Sequence, residues 1–289
     1  MYLQYFISGL TMGSAYGLTA MGFTIIFNAT NIINFAQGEF VMLGGMFSVF
    51  YISSLGLPLI AAVPLAIASA TLVGAMMERL TLRPLKNASI IQFIIVTIGL
   101  AIIIRGLVML FLGKDTHALP PFSGDKPIVL FGASIMPQNL WGIGITIALL
   151  LGLKLFYSNT IFGRAMLACS FNRKAASFVG INVSRMVLCS VTLSALVGAV
   201  AGGILAPVTM TSYDVGILLG LKGFAACILG GMGNPFGAAA GGLILGIIES
   251  FCSGLVSSAY KDAFSFIILL LLLFIKPSGL FGRAASERV

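Results

Sequence analysis

Charge is what this sequence has least of. Only 8% of its 289 residues are Asp, Glu, Lys or Arg, whereas 59% are hydrophobic, and the mean hydropathy is +1.10. A soluble domain carries about 25% charged residues, so a fold surrounded by water is excluded, because too few polar side chains exist to cover it. Acid is rarer than base, with 8 Asp and Glu against 16 Lys and Arg. One histidine, His117, and so few carboxylates leave little from which to build the Ser/His, paired-carboxylate or His-rich centre of a membrane-embedded hydrolase or transferase, and the chain is not expected to be an enzyme. The 4 cysteines, Cys169, Cys189, Cys227 and Cys252, form no CxxC pair. They read as small apolar residues in or beside membrane helices, and no metal site is expected from them.

What is present is long apolar sequence. Uncharged runs cover 1–38, 40–77, 127–153, 186–213 and 223–248, with shorter apolar segments at 87–104 and 263–275. A membrane-spanning helix needs roughly 20 apolar residues. The pattern predicts an all-α polytopic membrane protein with spans near 3–27, 38–54, 58–78, 90–112, 138–157, 187–211, 216–231, 236–257 and 262–276. Whether 28–45 is a cytoplasmic turn or a broken helix stays open, and 216–231 reads equally as re-entrant, so eight or nine spans are expected. No basic leader or small-residue cleavage signal marks the first apolar stretch, which reads as a retained helix. The 35 glycines suit close approach of helix backbones in lipid.

The net charge of +8 does not point to nucleic acid, because the basic residues sit in short segments between spans. Arg79, Arg83 and Lys86 form one cluster, Lys154, Arg164, Arg173, Lys174 and Arg185 a second, and Lys276, Arg283 and Arg288 (beside Glu287) a third. The positive-inside rule puts all three in the cytoplasm. Lys114, Asp115, His117, Asp125 and Lys126 balance and belong outside. The whole of 1–289 reads as a single transmembrane domain with an external loop at about 113–137 and a cytoplasmic loop at about 158–185. Nine spans put the N-terminus outside; eight put it inside.

Three segments carry specific information. In Asn28-Ala-Thr-Asn-Ile-Ile-Asn-Phe-Ala-Gln-Gly-Glu39, polar groups interrupt apolar sequence at a cost in lipid. Asn31, Asn34 and Gln37 are three apart, which a helix would align on one face. The segment reads as a pathway lining or broken helix, or equally as a capped cytoplasmic turn. In 163–185, Ala165, Ala168, Ala175 and Ala176 favour helix, Gly180 suits a helix end, and Asn182 or Ser184 a helix start. A short helix there serves either as a docking knob for a partner or as an amphipathic helix lying on lipid. In 230–249, Gly233-Asn-Pro235 breaks one apolar run and starts another, and Gly230, Gly231, Gly237, Gly241 and Gly242 provide a small face for helix packing. No strand precedes these glycines and no Gly-Lys-Ser/Thr follows, so a nucleotide-binding loop is excluded. Of the charges near membrane depth, Arg105, Lys222 and Glu249 suit a pathway or structural ion pairs, while Lys261 and Asp262 read as an exposed loop pair.

Taken together, Asn31-Ile-Ile-Asn-Phe-Ala-Gln-Gly-Glu39, Gly163-Arg-Ala-Met166, Ala175-Ala-Ser-Phe-Val-Gly-Ile-Asn182, Gly230-Gly-Met-Gly-Asn-Pro-Phe-Gly-Ala238 and Gly241-Gly-Leu-Ile-Leu-Gly246 resemble the permease family of branched-chain amino-acid ABC transporters (LivH-like), over nearly the whole chain. The resemblance implies an importer in a bacterial inner membrane. Its parts would be a pair of permease subunits, ATP-binding cassette subunits that hold the ATP and magnesium, and a periplasmic substrate-binding protein; this chain itself would need no cofactor. It implies that Gly163, Arg164, Ala165, Ala168, Ala175, Ala176 and Gly180 belong to the loop that couples to the ATPase, and that Asn31, Asn34, Gln37 and Glu39 lie near the translocation route. The family often has an acidic residue in the middle of the coupling loop; Ser170-Phe-Asn-Arg-Lys174 has none, which implies a more acidic partner surface. Urea and short-chain amide permeases resemble the same family. A standalone secondary transporter or channel is the reading outside it.

Overall fold

The computed structural model describes residues 2–85, 89–124, 126–130, 133–276 and 278–282. The charged residues Lys86, Asp125, Arg283, Glu287 and Arg288 of the clusters above lie outside the described residues. Helices dominate: α1 (Tyr2–Thr30), α2 (Gln37–Ser53), α3 (Leu59–Met77), α4 (Ile90–Leu112), α5 (Pro137–Asn159), α6 (Ile161–Phe171), α7 (Arg173–Phe178), α8 (Val183–Thr209), α9 (Val215–Gly230), α10 (Pro235–Leu255) and α11 (Lys261–Ile275). Among the described residues, 7 helices are long and apolar enough to cross a membrane. Two more, α2 with 17 residues and α9 with 16, are short because each starts inside the bundle.

The helices form where apolar runs are uninterrupted and end where capping chemistry appears. Ser89 caps α4 reciprocally with Gln92, Asn182 accepts from the Arg185 amide at 3.1 Å to start α8, and Asn234 with Pro235 starts α10. The expected spans agree with these helices to within a few residues. The segment between α4 and α5 contains a hairpin of β1 (Ile128–Leu130) and β2 (Ala133–Ile135), and His117 pairs backbone to backbone with Thr211.

Contacts give the direction of each crossing. Ser250 reaches the Tyr5 carbonyl and Gly242 meets Gly17, so α10 runs antiparallel to α1. Thr24 contacts Cys227 and Gly223 meets Thr19, so α9 runs parallel to α1. Gln37 bonds to Ser194 and Gly203 lies beside Ser48, so α2 runs parallel to α8. With the Arg79, Arg83, Arg164, Arg173, Lys174 and Arg185 end facing the cytoplasm, the 7 longer spans and the two shorter helices make a path that begins outside and ends inside.

The same contacts expose an inverted repeat that the sequence pattern does not show. α1–α2–α3–α4 and α8–α9–α10–α11 share one plan: a long helix, a break, a short buried helix, then two more helices, in opposite directions across the membrane. Each break opens on a non-glycine residue at positive φ, Asn31 at 53° and Met210 at 61°. These are the only such residues among the described ones. The second residues of the short helices, Gly38 and Gly216, touch each other backbone to backbone near the centre of the molecule. α5 links the repeats on the outside edge, and α6 and α7 lie at the cytoplasmic end.

The core is built from α1, α2, α8, α9 and α10. Tyr16, Phe40, Met21, Ile25, Met46 and Leu245 are fully buried there. α4, α5 and α11 form the periphery and expose Ile102, Leu110, Leu155 and Phe274, as lipid-facing or partner-facing helices do. Glycines set the spacing. Gly13 packs on Gly246 and Gly17 on Gly242, so α1 and α10 approach until their backbones touch. Gly230 and Gly237 do the same between α9 and α10, and Gly241 packs on α9 at Ala226. Gly231 and Gly233 hold φ of 101° and 99° in the turn between these helices, a region that favours glycine.

Candidate functional site

The polar segment after α1 is not helical. α1 stops at Thr30, Asn31 turns left-handed, and residues 32–36 lead back into the bundle. The helix that would align Asn31, Asn34 and Gln37 on one face does not form, and of the readings left open the broken helix holds: Asn31 is exposed, while Asn34 and Gln37 are buried. The chain manages its free backbone groups locally. Thr30 Oγ1 accepts from the Ile32 amide at 3.2 Å, Asn34 Oδ1 from the Ala36 amide at 3.1 Å, and the Phe35 amide reaches Thr97 Oγ1 on α4 at 3.4 Å. Gln37 locks the start of α2: its Nε2 donates to the Ser194 carbonyl at 3.2 Å, and the Ser194 hydroxyl donates to its Oε1 at 2.6 Å.

Two cavities lie in line along α4 on either side of this break. The cytoplasmic one, about 290 Å³, is bounded by Thr30, Asn34, Glu78, Phe93, Thr97 and Arg173. Its polar walls are unsatisfied: Asn34 Nδ2, Glu78 Oε2 and Arg173 Nε are buried without a hydrogen-bond partner among the described residues. Glu78 opens a π-helical turn (Glu78–Leu82) closed by Arg83 donating to its carbonyl at 2.8 Å, a geometry common at functional positions. The second cavity, about 370 Å³, lies between α2, α4 and α9 and holds Glu39 and Arg105. Phe35 and the Thr97 turn of α4 stand between the two. A third cavity of about 510 Å³ opens at the outer end and reaches Tyr16, Lys222 and Glu249.

The charges at membrane depth pair across helices. Arg105 Nη2 lies 2.6 Å from Glu39 Oε1 and joins α4 to α2. Lys222 Nζ lies 2.7 Å from Glu249, 2.6 Å from Asp262 and 3.1 Å from the Tyr16 hydroxyl, joining α9 to α10, α11 and α1. Asp262 is thus corrected from an exposed loop residue to a partner of a buried lysine. The sequence could not show this, because the pairing depends on α11 folding back beside α9. In each repeat an ion pair ties the short helix to the last helix, with the signs exchanged.

The cytoplasmic loop folds as two helices, α6 and α7, not one. Thr160 caps the first by accepting from the Gly163 amide at 2.9 Å, and Asn172 caps the second by accepting from the Ala175 amide at 3.0 Å. Gly180, at φ 85°, ends the unit. The small residues divide by position. Gly163 and Ala176 are buried, Ala165 and Ala168 half-buried, and Arg164, Ala175 and Gly180 exposed. Gly163 sits against the Phe156 carbonyl at the end of α5, so its smallness serves packing inside the chain. The exposed surface is apolar: Ile161, Phe162, Phe171, Phe178 and Val179, edged by Arg164, Lys174 and Arg185. The sequence reading missed these residues, although large apolar side chains in a cytoplasmic basic segment were the available signal. Arg173 connects the loop to the break by donating from Nη2 to the Ala29 carbonyl near the end of α1. Burial holds the Arg173 guanidinium below its ordinary range and pushes the neighbouring Cys169 thiol up.

Broken helices paired in an inverted repeat, polar side chains gathered at the breaks and a basic cytoplasmic knob define the class: a polytopic helical permease. A family model described as "Branched-chain amino acid transport system / permease component" matches residues 5–273. The chain is 36% identical over 304 residues to the high-affinity branched-chain amino acid transport system permease protein LivH of Escherichia coli (strain K12), covering 100% of this chain and 98% of that one. It is 33% identical over 303 residues to the corresponding permease protein BraD of Pseudomonas aeruginosa, again covering 100% and 98%. A chain of PsaBC from Streptococcus pneumoniae, solved in complex with Fab, superposes with a TM-score of 0.55 at 15% identity, over 96% of this chain and 93% of that one, a likeness of fold. The chain belongs to the branched-chain amino acid transport system permease family.

Proposed function

We propose that this chain is the membrane-spanning permease subunit of an ATP-driven importer that carries branched-chain amino acids across a bacterial inner membrane. Partner ATPases bind ATP and magnesium, a substrate-binding protein delivers cargo outside, and a second permease subunit completes the pore. The relatives' printed function over the full chain supports the amino-acid cargo. The observation that carries the mechanism is the hydrogen bond from Arg173 of α7 to Ala29. It links the cytoplasmic knob to the end of α1, immediately before the polar break.

The mechanism follows from that link. Closure of the ATPases moves α6 and α7. Arg173 transmits the motion to the end of α1, and the segment 31–36, held by side-chain bonds and not by helix, shifts against Thr97. The cavities on either side of Phe35 then connect in turn with the outside and the cytoplasm. Discontinuous helices near the bilayer midplane are the usual site of such alternation.

The test is uptake by the purified permease, ATPase and binding-protein complex in vesicles, with Phe178→Asp and Arg173→Ala variants. Phe178 is 88% exposed, so Phe178→Asp should insert normally, release the ATPase subunits on purification and abolish uptake. Arg173→Ala should keep the ATPases and hydrolyse ATP with little uptake. A chain that purifies without any ATPase, and whose uptake a protonophore abolishes but ATP depletion does not, would overturn the proposal in favour of a secondary transporter.

A further inference from the structure

We infer that the cavity around Glu39 and Arg105 is the resting site of the substrate inside the permease, taking an α-amino acid by its charged head and its aliphatic side chain. The inference rests on the amino-acid import proposed above and assigns that cargo to particular atoms.

The geometry starts from what the ion pair leaves undone. Glu39 is 2% exposed and spends Oε1 on Arg105; its Oε2 has no hydrogen-bond partner among the described residues. Arg105 spends Nη2 on Glu39, and its Nε is equally buried and unpartnered. A carboxylate oxygen and a guanidinium N–H left bare in a membrane interior each carry a desolvation cost. A zwitterion seated between the two side chains, which part to admit it, removes both costs at once: its ammonium donates to Glu39 Oε2 and its carboxylate accepts from Arg105 Nε. The rest of the wall is apolar and aromatic, with Phe35, Ile98, Ile102, Ile217 and Phe224 around a volume of about 370 Å³. That volume lies at the small end of ordinary ligand pockets, about 300–1,000 Å³, and suits a single amino acid with an aliphatic side chain.

The outer cavity does not offer the same chemistry. There the Lys222 ammonium is saturated by Glu249, Asp262 and Tyr16, and the second Glu249 oxygen accepts from Ser265 at 3.0 Å. Asp262 Oδ1 lies against Lys222 without an aligned hydrogen bond, but no unpartnered donor stands beside it among the described residues, whereas the Glu39–Arg105 pair leaves both an acceptor and a donor. Position agrees. Glu39 is in the first turn of α2, where the broken helix begins inside the bundle.

Photo-leucine, the diazirine analogue of leucine, tests the site in the complete transporter reconstituted in vesicles. Illumination during uptake should place adducts on the α4 peptide containing Ile98 and Ile102 and on the α9 peptide containing Ile217. Excess leucine should suppress them. Glu39→Gln should remove the adducts and lower uptake by about tenfold or more, the factor that loss of one hydrogen bond to a charged group produces. Ile102→Trp fills the cavity from a position that is 61% exposed, so it folds as the parent does and should block leucine uptake more than alanine uptake. Normal leucine uptake in both variants, or leucine-suppressible adducts confined to other helices, overturns the site while leaving the importer intact. A parent complex that takes up no leucine, isoleucine or valine overturns the proposed cargo itself.

Discussion

Gly38 of α2 and Gly216 of α9 are in backbone contact: a Cβ on Gly216 would lie 2.7 Å from the Gly38 carbonyl oxygen, and one on Gly38 would overlap the Gly216 carbonyl. They occupy the same position in the two halves of the inverted repeat, so this contact is one of the places where the halves meet, and the one that joins the two short helices.

Gly38→Leu should therefore misfold or destabilise the permease. Overpacking of a tight core costs about 1–3 kcal/mol when neighbours can yield, and a backbone neighbour yields less than a side chain. Thermal unfolding in detergent should show a lowered midpoint or loss of the folded species. Gly106→Ala is the control: a Cβ there meets nothing within 4 Å, and the variant should match the parent or exceed it slightly. Equal stability of Gly38→Leu and the parent would mean that the halves do not meet as described.

Lys222→Met should be among the most damaging single changes. Lys222 is 1% exposed and joins four helices through Glu249, Asp262 and Tyr16. Removing one member of a buried pair leaves its partner charged and unpaired, at a cost of about 3–5 kcal/mol. The double variant Lys222→Met/Glu249→Gln should recover part of the loss, because the stranded charge goes too. A double-mutant cycle on the unfolding midpoint checks this; strictly additive effects would deny the coupling.

Two substitutions in the cytoplasmic loop should separate folding from coupling. Gly163→Asp places a side chain against the Phe156 carbonyl, so membrane insertion level and stability should fall together with uptake. Phe178→Asp, at an exposed position, should lose uptake while the permease itself unfolds at the parental temperature. The comparison fails if both variants keep parental stability.

Thiol labelling reports the packing of α6. Cys169 is buried, and burial raises its pKa more than Arg173 lowers it. The sign follows: at neutral pH the thiol stays protonated, so maleimide labelling is slow. It should accelerate only above the ordinary thiol range of about 8.5, or on denaturation. Mass spectrometry of labelled peptides at stepped pH measures it, and fast labelling of Cys169 near pH 7 would contradict the buried placement.

Much of this molecule was legible in one dimension. Uncharged runs located the spans to within a few residues, because a lipid environment demands long apolar helices whatever their neighbours. Asn182 capped a helix as such residues do, and Gly180 ended one. The segment 31–39 drew notice because polar groups are costly there. Its conformation stayed open between a broken helix and a capped turn; local side-chain bonds from Thr30 and Asn34 support the break. Asp262 looked exposed because nothing near it in sequence reveals Lys222. The exposed phenylalanines of α6 and α7 were passed over because apolar residues are unremarkable in so apolar a chain.

The sequence by itself determined the medium and the crossings, since hydropathy acts through solvent and needs no knowledge of long-range contacts. Only the tertiary structure decided which polar groups meet. Glu39 finds Arg105, Lys222 finds Glu249 and Asp262, and Gly38 finds Gly216 because two oppositely directed copies of one helical plan pack together. That pairing depends on helix packing across long stretches of chain, which no local pattern of residues encodes.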